Sequence, residues 1–130
     1  GLACSPTTLG ARGVTSTTGP LAQHALGKPG AWADQPWEGD HVAKVDAKIF
    51  CFLGEATIGV ACGTRAEADE WLAEFPQDAS VMPYIGRHGW NTLRTNGAIP
   101  DDALREAIDT SYALVVAKLP RSRRPSSRRP

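Results

Sequence analysis

Residues 42–62 read VAKVDAKIFCFLGEATIGVAC, and the fold follows from how this stretch is divided. Three short runs, Val42–Val45, Lys48–Leu53 and Thr57–Cys62, are rich in β-branched and aromatic residues. They are broken at Asp46-Ala47 and around Gly54-Glu55-Ala56, which predicts an antiparallel meander of strands joined by short turns. With tight turns the register can be written out. Leu53 faces Ile58, Cys51 faces Val60 and Ile49 faces Cys62, all on one side with Val42. The other side sets Phe52 against Gly59 and Phe50 against Ala61, each ring over a small neighbour. In that register Cys51 and Cys62 lie diagonally, roughly 7–8 Å apart, too far for an easy disulfide. They read as small core hydrophobes.

Working outward, Thr64 and Glu67 form a Thr-x-x-Glu capping box in which each side chain satisfies an end donor of the other. Ala68, Trp71, Leu72 and Phe75 follow at i, i+3, i+4 and i+7, and Pro76 stops the run. The outer face of this helix carries Glu67, Asp69, Glu70 and Glu74, four carboxylates that would repel phosphate. A second helix is predicted over Asp101–Leu119. Pro100 stands near its first turn, and Asp101 and Asp102 suit the positive end of its dipole. A weaker helix falls around Leu21–Leu26. A fourth strand is expected at Trp90–Thr95, ended by the turn signal Asn96-Gly97, after a loop or short extended segment over 81–89. The fold class is therefore α+β, a largely antiparallel sheet with helices packed on it.

The chain has 130 residues, 42% of them hydrophobic, which suits one domain with its own core. Of residues 1–20, 13 are Ser, Thr, Gly or Pro. That segment and the tail PRSRRPSSRRP at 120–130 are too polar to order themselves, so the folded unit is expected at 21–119. No apolar run is long enough for a membrane span or a signal peptide. Three cysteines with no zinc spacing fit reduced thiols and a cytoplasmic setting, with no metal and no cofactor. The net charge of zero hides an asymmetry. From Lys118 onward there are six bases and no acid, leaving eight bases against 14 acids before it.

In order along the chain stand Gln35-Pro36-Trp37-Glu38-Gly39 with His41-Val42-Ala43-Lys44-Val45, then Lys48 to Gly54, then Gly86-Arg87-His88-Gly89-Trp90. Last come Ile99-Pro100-Asp101-Asp102 and the run from Ser111-Tyr112 to Lys118-Leu119. This ordered set resembles the MmcQ/YjbR family of small bacterial proteins. The resemblance implies an α+β fold with two β-hairpin wings, described as a double-wing DNA-binding arrangement. It also brings in a member named from an antibiotic biosynthesis and resistance cluster. Family members often carry a Lys where this chain has Val60-Ala61-Cys62-Gly63, and this chain adds arginines beyond Leu119.

These readings name the candidate residues. Lys44 and Lys48 flank the first hairpin tip, either reaching for phosphate or snorkelling past the core edge. Arg87, His88 and Arg94 bracket the strand of Trp90, itself read as core; basic groups beside an aromatic suit phosphate contact with base stacking. Lys118, Arg121, Arg123 and Arg124 belong to a flexible basic arm that would track phosphates without reading sequence, or simply be solvated. Ser111 and Tyr112 have no activating base at suitable spacing. Ser111 is expected to bond a carbonyl one turn back and Tyr112 to pack with its hydroxyl at the rim. Trp32 and Trp37 either line a ligand cleft or cap one end of the sheet. Asp34, Glu38 and Asp40 lack the spacing of a calcium loop. The expectation is a non-enzymatic DNA-binding protein with backbone contacts and no catalytic residues. The alternative is a small-molecule (drug) binding protein, taking an aromatic ligand and linked to antibiotic resistance.

Overall fold

The computed structural model describes residues 19–37 and 40–125. Most of the segment 1–20, with Cys4, and also Glu38, Arg128 and Arg129, lie outside these residues. The chain forms α1 (Pro20–Leu26), β1 (Ala31–Trp37), β2 (Asp40–Val45), β3 (Lys48–Leu53) and β4 (Thr57–Ala61). Then follow α2 (Arg65–Glu74), β5 (Ala79–Val81), β6 (Trp90–Arg94) and α3 (Asp101–Ala117). The sheet is antiparallel in the order β1-β2-β3-β4-β6-β5. The three helices pack on one face, where Ala22, Ala25, Ala68, Leu104, Ile108 and Val115 meet the inward side chains of the strands. This is the α+β architecture read from the sequence, with two added strands.

Both additions sit at sheet edges. β1 carries no strand signal in the sequence, because Asp34, Gln35 and Pro36 break any apolar alternation. It pairs with β2 through Trp32–Lys44 and Ala33–Ala43, and its register slips between Asp34 and Trp37, next to Pro36. An edge is where a sheet tolerates proline. β5 is three residues long and pairs with β6 alone.

The pairs Cys51–Val60, Phe52–Gly59 and Leu53–Ile58 form as written from the sequence. Gly59 is needed there, since a Cβ would come within 2.0 Å of Met82 Cε and 3.2 Å of Phe52 Cβ. Two face assignments are corrected. Val42 pairs with Phe52, so it lies on the face away from the helices, opposite Cys51. Between β2 and β3 the register shifts: Ala43 faces Cys51 but Lys44 faces Ile49, leaving Phe50 as the extra residue of a β-bulge. The bulge turns Phe50 into the core, where it is fully buried and meets Tyr112 edge-on at 5.1 Å.

The bulge also ends the β3–β4 ladder at Cys51 and Val60, so the expected pairs Ile49–Cys62 and Phe50–Ala61 are replaced. The Ala61 N–H donates instead to Ser111 Oγ at 2.9 Å, and the Ser111 hydroxyl donates to the Phe50 carbonyl at 2.5 Å. Ser111 thus bridges two strands rather than bonding its own helix one turn back. Burial pushes the Cys51 thiol up to about 12 and the Cys62 thiol up to about 11. Both are free thiols of the core.

The tail is not wholly without structure either. Arg121–Arg123 form a 3-10 turn. Arg124 then donates to the Leu119 and Ala117 carbonyls at 3.0 and 3.1 Å, satisfying acceptors that the end of α3 leaves open.

Candidate nucleic-acid interface

Antiparallel pairing puts three things at one end of the sheet. The β2–β3 turn at Asp46-Ala47 projects there, because Val45 faces Lys48. The loop between β5 and β6 projects from the same end, because Ala61 at the close of β4 pairs with Trp90 at the start of β6. The last turn of α3 arrives there too, since Tyr112 Oη donates to the Pro29 carbonyl just ahead of β1. The two loops are about three strand spacings apart, roughly 15 Å.

Seven of the nine candidate basic residues converge on this end. The side chains of Lys48, Lys118 and Arg121 are exposed and make no hydrogen bond or ion pair among the described residues, Lys48 acting on the Asp46 carboxylate only through space. His88 and Lys118 line one groove of about 230 Å³ with Thr64, Glu67 and Trp90. Arg87 lies beside His88, its Nε 3.3 Å from His88 Nε2. Arg123 Nε donates to Asp46 Oδ1 at 3.1 Å, tying the tail to the hairpin turn. That hydrogen bond holds the Asp46 carboxyl below its usual range. Arg124 is occupied with helix carbonyls.

Two candidates are placed differently from the sequence reading. Lys44 lies on the open face rather than at the tip, with Nζ 2.9 Å from Asp34 Oδ2 and 5.1 Å from the Trp32 ring centroid. The Lys44 hydrogen bond holds the Asp34 carboxyl below its usual range. Arg94 pairs with Thr57 at the opposite end of β6, and its Nε is 3.7 Å from Asp78 Oδ1. The same end carries Asp101 and Asp102 at the start of α3.

Trp32 is 43% exposed on the open face, its indole N–H donating to the Asp46 carbonyl at 2.9 Å. It lines none of the grooves described here. A larger groove, about 440 Å³, runs between α2 and α3 and is lined by Glu70, Trp71, Glu74, Phe75 and Glu106, so it would repel phosphate. Trp90, read as core, is half-buried and packs edge-to-face on Phe52 at 5.8 Å. Among the described residues no group of three His, Cys, Asp or Glu side chains is placed to hold a metal ion. None of the helices there is long and apolar enough to cross a membrane.

Sequence reading missed one residue at this end. Tyr84 is 97% exposed at the tip of the β5–β6 loop with φ at +67°. Its only signal was an aromatic after proline in an otherwise loop-like stretch.

The family model described as YjbR matches residues 26–114, from the last residue of α1 through most of α3. The chain belongs to the YjbR family. Two relatives, each called uncharacterized protein YjbR, come from Escherichia coli strains K12 and O157:H7. Each is 27% identical over 112 residues, covering 83% of this chain and 94% of the relative. A crystal structure of Deinococcus radiodurans protein DR2400, with the family-model domain DUF419, superposes with a TM-score of 0.68. It is 17% identical and covers 78% of this chain and 80% of that one, a likeness of fold. The match to the YjbR model stops three residues after Ser111, so the basic tail lies beyond the part that defines the family.

Proposed function

We propose that this YjbR-family chain is a non-enzymatic DNA-binding protein that holds the phosphate backbone at the basic end of its sheet, the β2–β3 turn and the β5–β6 loop acting as two wings. The observation that supports this reading is the convergence there of Lys48, Lys118 and Arg121, unpaired among the described residues, with Arg87 and His88 alongside. Unpaired surface cations cost nothing to redirect, whereas Lys44 and Arg94 would have to leave a carboxylate first. Contacts of this kind bind by releasing counterions and carry no sequence information. A DNA partner also fits the cytoplasmic setting expected from the thiols Cys51 and Cys62.

The test is fluorescence anisotropy of a labelled duplex across a salt series. Each phosphate neutralised contributes about 0.9 to the slope of log affinity against log salt. Replacing Lys48, Lys118 and Arg121 together by Ala should lower that slope by roughly two to three, while Lys44→Ala and Arg94→Ala leave it unchanged. An unchanged slope in the triple variant would sink the assignment.

A further inference from the structure

We propose that Tyr84 is a stacking platform for an unpaired base, so that the β5–β6 loop selects single-stranded over duplex DNA. The inference rests on the DNA-binding reading above and names the form of nucleic acid this site takes. It starts from the backbone. The Ile85 N–H donates to the Pro83 carbonyl at 2.7 Å, closing a three-residue γ-turn with Tyr84 at its apex, and the φ of +67° makes it the strained, seldom-used variety. A bulky residue at positive φ is a real outlier, and such strain persists only where the surroundings impose it.

The surroundings do so on both sides. Before the turn, Met82 is fixed by its N–H to the Trp90 carbonyl at 3.2 Å and by its side chain against Gly59. After it, Gly86 is buried and its carbonyl accepts from Arg65 on α2, while the His88 and Gly89 N–H groups close the following 3-10 turn. The loop is clamped at its feet and its apex presents a phenol ring that touches almost nothing.

Strain at an exposed residue gains the fold nothing, since the ring contributes no burial. What it gains is a flat aromatic surface held clear of the sheet, three residues ahead of Arg87 and four ahead of His88. Residues 79–100 contain no Asp or Glu in a chain with 14 acids, so nothing within this segment repels a phosphodiester chain. An aromatic platform beside cations is how single strands are held without sequence preference, because every base offers a π-face. In duplex DNA those faces are already stacked, and the ring has no access to them.

The experiment compares the full chain on an unstructured 20-nucleotide thymidine strand and on a duplex of equal length, by anisotropy at fixed and varied salt. The expected result is tighter binding to the single strand, with Tyr84→Ala weakening that binding about tenfold and the duplex less than twofold. The salt slope should stay the same, and Tyr84→Phe and Tyr84→Trp should retain affinity. Tyr84→Gly takes a positive φ freely, so it should melt no lower than wild type yet bind as poorly as the alanine variant. If wild type binds DNA but prefers duplex, or Tyr84→Ala leaves single-strand binding intact, the inference is overturned and the DNA reading stands. Binding to neither form overturns both.

Discussion

Ser111 closes a gap that the backbone opens. The bulge at Phe50 leaves the Phe50 carbonyl and the Ala61 N–H without each other, deep in the core, and one hydroxyl serves both. Serine was legible as a polar residue on the buried stripe of α3, but which groups it would meet depended on a bulge that no spacing announces. Ser111→Ala removes the donor and the acceptor together and leaves two buried backbone groups unsatisfied, each costing about 1–3 kcal/mol. The expected loss is about 2–4 kcal/mol in urea denaturation, with the slope of the transition unchanged. A loss below about 1 kcal/mol would show that water reaches the bulge and that the hydroxyl is dispensable. Cys51 and Cys62 behave oppositely: their role as small buried hydrophobes was readable from alternation alone, and burial raises both thiols well above neutrality.

Elements with strong local signals were legible and those built by tertiary contact were not. The capping box of Thr64 and Glu67 forms with both hydrogen bonds, at 3.1 and 2.8 Å, because all its atoms lie within one turn. β1 had no such signal; its polar outer residues find partners only when β2 lies beside it, as Asp34 does with Lys44. The contacts of the tail at Arg123 and Arg124 were hidden for the same reason. Composition counts its arginines but says nothing of the carbonyls and carboxylate that face them. Ending the chain at Leu119 would therefore do more than subtract charge. It removes the Arg124 hydrogen bonds to the last turn of α3 and should cost about 1 kcal/mol of stability, measured without DNA. Arg124→Ala alone should reproduce most of that loss, and Arg121→Ala none of it. Equal stability of the shortened and full chains would show that the tail hydrogen bonds are exchanged for water at no cost.

On the scale of the molecule, a net charge of zero conceals a charged axis. Bases gather where the β2–β3 turn, the β5–β6 loop and the end of α3 meet; Asp78, Asp101 and Asp102 stand at the other end of the sheet. The sequence showed the tail's charge and the acidic face of α2, but the axis needed the sheet order, which alone puts the two loops at one end. The length of α3, 17 residues or roughly 25 Å, separates the poles by several Debye lengths at physiological salt. The poles should then act independently, and carboxylates at each can be compared. Asp46 sits at the basic pole and holds Arg123, with its carboxyl lowered from 3.8. Its ion pair is therefore complete above that value and is lost only as pH falls through the lowered folded value, so at neutral pH Arg123 is committed. Asp46→Asn frees that guanidinium and removes a like charge to phosphate. DNA affinity should rise several-fold and the salt slope should steepen by about one. Asp101→Asn with Asp102→Asn removes twice the negative charge at the far pole and should change affinity less than twofold in 150 mM salt. If the distant pair matters as much as Asp46, binding follows total charge and not the basic end, and the interface proposed for Lys48, Lys118 and Arg121 is wrong.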